Sequence, residues 1–391
     1  MRHSTRLLPG IAAVSAIAAL ALSGCASGPS GGSGGGGASS SAGASGGPLT
    51  PVTLQLQWVA QAQFAGYYAA VAQGYYKDEG LDVTIQESGT DTVPIDEIAA
   101  GNADYAISWV PKVLGSIEKG TNVTDVAQIF ERSATTQISF KDKNITSAAD
   151  LKGHNVGSWG FGNEWELFAG MQKAGVGLNG ITLVQQQFDM NAFLAGDIDA
   201  AQAMTYNEYA QVLESKNPKT GKLYTPDDLN VVNWNDQGTA MLQDAIWADA
   251  DRLASDKNYQ DTTVKFIKAS IKGWMYARDN PQKAADIVTA AGSTLGTSHQ
   301  LWMTNEVNKL IWPSTSGGVG MIDTKAWDQT VKIAKGTKNE TGKTIITKDP
   351  PKTAYSNDYV KKALSELKSA GEDVTGTGFK PIDVTLKAGG K

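Results

Sequence analysis

Cysteine, histidine and basic charge are all scarce in this 391-residue chain, and each shortage removes a class of function. A single Cys cannot close a disulfide within one chain. With 34 Lys and Arg against 40 Asp and Glu, the formal charge is -6, and no clustered basic surface is legible that could grip a nucleic-acid backbone. The three His are scattered, and neither a His-Glu-x-x-His pair nor calcium-loop spacing occurs, so no dedicated metal site and no cofactor is expected. Gly175-Val-Gly177-Leu-Asn-Gly180 has dinucleotide-cradle spacing, but it follows a helical pattern and precedes a strand, the reverse of the order a cradle needs. The apolar run from Ile11 to Leu22 is shorter than the roughly 20 residues that cross a bilayer.

That run does have the length of a secretory signal core, and Arg2 and Arg6 precede it. It ends in Leu22-Ser23-Gly24-Cys25, which resembles the bacterial lipobox. The resemblance implies removal of residues 1–24, a lipid on the Cys25 sulfur, and an exported chain anchored to the outer face of the bacterial cell membrane. Losing Arg2 and Arg6 makes the mature chain more acidic, so lipid rather than charge would hold it there. Residues 26–47 contain only Gly, Ser, Ala and Pro29, a flexible tether with an r.m.s. reach of about 25 Å. Residues 25–47 are therefore read as anchor and tether, and function is sought after Pro48.

Over the full chain 41% apolar and 19% charged residues fit a packed globular protein, with length for two lobes of roughly 100 to 200 residues each. Strand patterns at Val52–Gln57, Leu81–Ile85 and Tyr105–Ser108 alternate with helical patterns at Ala62–Tyr76 and Ile95–Ala100. The same β-α-β-α-β order returns: strands at His154–Ser158, Ile181–Gln185 and Asp199–Ala203, helices at Glu164–Ala174 and Ala192–Ala195. Even the joints match, since Ala100-Gly101-Asn-Ala-Asp104 and Ala195-Gly196-Asp-Ile-Asp199 both read A-G-x-x-D. The expected fold is α/β and two-lobed, each lobe a mostly parallel sheet flanked by helices. The lobes are assigned to residues 48–140 and 141–240, meeting near 140 and 240. Residues 241–391 return to the first lobe through helices such as Thr262–Arg278 and Asn357–Ser369.

The stretch Gln61-Ala-Gln-Phe-Ala-Gly-Tyr-Tyr-Ala-Ala-Val-Ala-Gln-Gly-Tyr-Tyr-Lys-Asp-Glu-Gly-Leu81 resembles the substrate-binding proteins of ABC transporters. With Gly162-Asn163-Glu164 and Tyr206-Asn207-Glu208 it is similar to the group that binds thiamine pyrimidine precursors, riboflavin, sulfonates or nitrate. The resemblance spans roughly Leu54 to Trp312. It implies a periplasmic-binding-protein-like monomer that hinges shut over a small molecule and delivers it to a permease driven by an ATPase.

In open α/β sheets ligands bind beyond the carboxyl ends of strands. Trp58, Phe64, Tyr67, Tyr68, Trp109, Trp159, Phe161 and Tyr206 fall at or near such ends and could stack a flat heterocycle, although core packing is the alternative for each. Asn163 reads as an N-cap with Glu166 as capping-box partner, and Glu164 adds a second carboxylate, an arrangement hostile to phosphate or sulfonate. Asn207 and Glu208, beside Tyr206, are the preferred readers of a polar edge: a carboxyl can accept from an exocyclic amine and, protonated, donate to a ring nitrogen. No basic residue is legible in these loops. A neutral aromatic heterocycle, above all a thiamine pyrimidine precursor, is therefore expected. Riboflavin remains open, a sulfonate, taurine or nitrate ligand is the weaker alternative, and a pyrimidine-synthase-like enzyme is weaker still because the Cys-rich motif of that synthase is missing.

Overall fold

The computed structural model describes residues 47–391. The expected signal segment, the Cys25 anchor and all of the tether before Gly47 lie outside the described residues.

Ten strands form two five-stranded sheets. The first holds β1 (Thr50–Gln55), β2 (Leu81–Gln86), β3 (Tyr105–Trp109), β4 (Val123–Gln128) and β10 (Asp244–Asp249). The second holds β5 (Thr135–Phe140), β6 (Asn155–Ser158), β7 (Thr182–Gln185), β8 (Ala200–Met204) and β9 (Leu229–Asn233). Their orders, β2-β1-β3-β10-β4 and β7-β6-β8-β5-β9, are the same arrangement twice. In each, three parallel strands meet one antiparallel strand, β10 or β5, which is the strand entered after the chain crosses between sheets. Burial explains the strand patterns. The edge strand β2 alternates exposed residues with buried Leu81 and half-buried Val83 and Ile85, whereas β3, flanked on both sides, is buried at all five.

The repeated joint is repeated in atomic detail. Gly101 and Gly196 stand at φ 74° and 85°, the left-handed turn that frees the chain from a helix. Asp104 Oδ2 then accepts the Thr53 N–H at 2.9 Å, and Asp199 Oδ2 accepts the Asn155 N–H at 2.9 Å. Each Asp thus ties the start of its own strand to the neighbouring parallel strand, β1 or β6, which gives an Asp the same task in both pentapeptides.

The crossings lie at residues 129–134 and 234–243, running side by side. Asn235 Nδ2 donates to Ser133 O at 2.7 Å, and the Ser133 N–H donates to Asn235 Oδ1 at 3.1 Å. The Ala134 N–H donates to Gln243 Oε1 at 2.9 Å. The first crossing thus precedes β5, so this strand belongs to the second sheet although it ends at residue 140. The β-α-β pattern that organised the sequence could not foresee it, because an antiparallel strand needs no crossover helix.

After β10 the chain is helical and packs on the first sheet. Asp256 caps the helix Lys257–Asp279 through the N–H groups of Asn258 and Tyr259. Its apolar stripe, including Phe266, Ile267, Ile271 and Trp274, lies against the helix Ala65–Ala72. The two backbones nearly touch: a Cβ on Gly273 would sit 1.9 Å from the Gly66 carbonyl oxygen. Two local expectations are corrected. The helix expected over Ala62–Tyr76 is broken into a short 3-10 turn, Ala65–Ala72 and Tyr75–Asp78, because Gly74 stands at φ 75°. The Asn163/Glu166 capping box does not form, since the helix begins at Trp165 with Glu164 as N-cap and Glu166 turns inward.

Candidate functional site

The carboxyl ends of β1, β3, β6, β7 and β8 and the starts of the antiparallel β10 and β5 all face the space between the lobes. One continuous buried cluster spans it, containing Tyr67, Trp109, Phe130, Trp159, Met204 and Tyr206, with Trp58 packed at its margin. Trp58 of the first lobe lies 4.9 Å from Phe188 of the second, and Phe188 stacks on Trp159 at 6.5 Å. Tyr206 meets Phe130 edge-on at 6.4 Å. The lobes are closed on one another, and the cavity lined by Trp109, Asn163, Trp165, Glu166 and Met241 measures only about 10 Å³.

The residues singled out from sequence divide into groups. Trp58, Tyr67, Trp109, Trp159 and Tyr206 come together in the interlobe cluster. Phe64 is fully buried in that same cluster, at the start of the helix Ala65–Ala72. Phe161 is 82% exposed and points away from any core, at φ 53° between Gly160 and Gly162, which are also left-handed. Asn163 and Glu164 fold onto their own loop: Asn163 Nδ2 donates to Gly160 O at 2.7 Å, and Glu164 accepts the Gly162 N–H at 3.0 Å. Asn163 O accepts from Gln202 Nε2 at 2.6 Å.

Glu208 is buried and doubly engaged, accepting the Met204 N–H and Asn207 Nδ2, both at 2.9 Å. Burial pushes its carboxyl up to about 7, partly offset by the Met204 N–H. Asn207 is fixed from the other side, its Oδ1 lying 3.0 Å from His299 Nε2, while His299 Nδ1 faces Glu214 at 2.9 Å. The Tyr206–Glu208 corner is therefore a preformed hydrogen-bonded bracket.

The group that sequence reasoning missed is Asp244, the first residue of β10. It is buried, and it accepts Gln57 Nε2 at 2.7 Å, Trp109 Nε1 at 2.8 Å and Gln63 Nε2 at 2.9 Å. Burial pushes its carboxyl up to about 6, against the pull of those donors. The hydroxyls of Tyr67 and Tyr206 lie within its field, which helps to raise their own pKa values behind the larger effect of burial. Lys112 was missed as well, and with it the expectation that no basic residue faces the gap. Its Nζ stands 4.9 Å from the centre of the Trp109 ring. Burial lowers its pKa to about 8, and Glu164 and Asp244 hold it from falling further. Three residues after Trp109 in the first turn of the following helix, Lys112 occupies a spacing that could have flagged it.

Glu166 holds the hinge from the second lobe. It accepts the Ser133 hydroxyl at 2.8 Å and the Met241 N–H at 2.5 Å, one from each crossing. Burial pushes it up to about 8, against the pull of those two donors.

Two sheets of matched order, exchanged antiparallel strands, a double crossing and a buried aromatic gap define a periplasmic-binding-protein fold. The sulfonate-binding protein SsuA of Methylobacillus flagellatus superposes with a TM-score of 0.56 at 16% identity, over 86% of this chain and 99% of that one. The NMT1/THI5-like family matches residues 61–284, and the chain belongs to that family as a solute-binding protein. Among its relatives, the formylaminopyrimidine-binding protein of Halalkalibacterium halodurans is 25% identical over 242 residues, covering 61% of this chain and 70% of that protein. The riboflavin-binding protein RibY of Chloroflexus aurantiacus is 26% identical over 249 residues, covering 61% and 66%.

Proposed function

We propose that this chain is the exported, Cys25-anchored solute receptor of an ABC importer, and that its interlobe gap captures a small aminopyrimidine of the thiamine-precursor type for delivery to a permease. One observation carries the reading: two buried carboxyls, Asp244 from the first lobe and Glu208 from the second, rise toward neutral pKa values among Trp109, Trp159, Tyr67 and Tyr206. A flat ring gains affinity by stacking, while such carboxyls accept from an exocyclic amine when ionised and donate to a ring nitrogen when protonated. Asn207 and the amides of Gln57 and Gln63 supply further polar contacts once ligand replaces part of the present bonding. The 25% identical formylaminopyrimidine-binding relative supports the same class.

Lys112 favours a second reading, an anionic ligand such as a sulfonate. Against it stand Glu164 and Asp244, two carboxyls acting on one ammonium group. No covalent chemistry is assigned to the site.

Calorimetric titration of the folded body with hydroxymethylpyrimidine, formylaminopyrimidine, riboflavin and taurine separates the readings. Saturable binding of the aminopyrimidines, weakened at least tenfold by Asp244→Asn or Glu208→Gln at a temperature where circular dichroism shows the variant still folded, supports the proposal. Binding of taurine alone, weakened by Lys112→Ala, overturns it, as does turnover of any pyrimidine by the purified protein.

A further inference from the structure

The lobes also meet along one flank of the gap, through the helix Thr297–Ile311. This helix belongs to the first lobe, where Gln300 Oε1 accepts the Ala62 N–H at 2.7 Å and Met303 Sδ accepts the Gln63 N–H at 3.2 Å. Its C-terminal end sits at the hinge, since the Glu131 N–H of the first crossing donates to Leu310 O at 3.1 Å. Its N-terminal half reaches the second lobe. Trp302 Nε1 donates to Thr205 O at 3.1 Å, and the Trp302 ring lies 6.2 Å from that of Tyr209. His299, only 1% exposed, stands between two second-lobe groups, its Nδ1 2.9 Å from Glu214 and its Nε2 3.0 Å from Asn207.

A strap of chain runs across this contact. It leaves the first lobe at Thr375, whose carbonyl accepts the Ser314 N–H, and passes the helix at Asn305, whose Oδ1 accepts the Ile382 N–H at 2.9 Å. It then steps onto the second lobe. Leu386 packs, as Trp302 does, against the second-lobe core that contains Val212 and Leu213, and the Gly389 N–H donates to Glu214 O at 3.1 Å. At Gly390 the strap is wedged between the lobes. A Cβ on Gly296 would sit 2.0 Å from Gly390 O, and a Cβ on Gly390 would sit 3.0 Å from Glu214 Oε2 and 3.1 Å from His299 Cβ.

These contacts lie far enough from the hinge to feel its motion. His299 precedes Leu310 by eleven residues, about 16 Å along the helix. For a rotation about an axis crossing the helix at its hinge end, each 10° or so parts the facing residues by about 3 Å, which no hydrogen bond survives. Contacts made in one arrangement alone shift the equilibrium toward it. We infer that the helix Thr297–Ile311 and the strap 376–390 form an external clasp that holds the two lobes closed, with His299 as its buried polar centre. The clasp acts from outside the gap, so it favours closure over whatever the gap holds.

The test reads lobe separation directly, with no ligand added. Spin labels on Val93→Cys in the first lobe and Asp189→Cys in the second, both exposed positions, report the interlobe distance by double electron–electron resonance in the mature chain carrying Cys25→Ser. The distribution should be dominated by the closed separation. His299→Leu removes both ring hydrogen bonds, and Gly296→Ala drives a Cβ into the strap. Each should raise the ratio of open to closed populations about tenfold or more. Trp302→Phe keeps a ring and loses the N–H to Thr205, so it should raise the ratio less, and it carries the test if circular dichroism shows the other two poorly folded. A parent distribution that is already mostly open, or an unchanged ratio in every folded variant, would overturn the clasp. Because no ligand enters the measurement, neither outcome touches the aminopyrimidine reading, which the titration addresses separately.

Discussion

Replacing Asp244 by Asn tests whether a buried acid sits where the lobes meet. The Asp244 carboxyl takes three side-chain donors at 2.7 to 2.9 Å, and burial raises its pKa from an ordinary 3.8 to about 6. A shift of about two units corresponds to about 3 kcal/mol of pH-linked stability. Because the folded value is raised, the unfolded chain releases its proton first. The contribution is therefore fully present below about pH 4 and is lost as pH rises through about 6. Glu208, raised to about 7, and Glu166, raised to about 8, have the same sign and extend the decline upward. An Asn cannot titrate, so it removes the pH 4 to 6 portion of the slope alone. It also sets an amide NH2 against the Gln or Trp donors, at a cost of about 1 to 3 kcal/mol at neutral pH. Urea unfolding of wild type and variant at pH 4, 5, 6 and 7 should show their difference shrinking by about 2 kcal/mol from pH 4 to 6, by a few tenths more to pH 7, and then levelling. A difference independent of pH, or one that widens with rising pH, would refute the burial argument.

Glu166→Ala should lower stability by roughly 3 to 5 kcal/mol, since it strands the Met241 N–H and Ser133 hydroxyl at both crossings, and urea denaturation reads it. Gly273→Ala drives a Cβ to 1.9 Å from the Gly66 carbonyl, so the helices must separate. A loss of at least roughly 3 kcal/mol by the same assay is expected, and a near-neutral result would contradict the packing. Trp159→Ala should reduce aminopyrimidine affinity about tenfold through lost stacking and abolish most of the ligand-induced change in tryptophan fluorescence.

Much of the fold was legible because its elements obey local rules. The paired β-α-β-α-β units carry clean alternation, and the A-G-x-x-D joints encode both a left-handed Gly and the Asp that ties two strands together. What escaped was non-local. Strands β5 and β10 are buried along nearly their whole length and antiparallel, and nothing near them in sequence marks the sheet they join. Missing β10 meant missing Asp244, whose partners Gln57, Gln63 and Trp109 lie more than 130 residues upstream. The other aromatic candidates converge because strand ends meet by topology, whereas Phe161 shows that loop position alone does not fix direction. Glu166 looked like a capping residue from its spacing, and only the crossings, distant in sequence, reveal where it points.

The most direct test of the interlobe site is a crystal structure of the protein grown with hydroxymethylpyrimidine. The account predicts the ring between Trp159 and Tyr206, with its exocyclic amine within about 3 Å of a carboxyl oxygen of Asp244 or Glu208. Clear ligand density anywhere else, with Trp159 still stacked on Phe188 and Tyr206 still against Phe130, would contradict it.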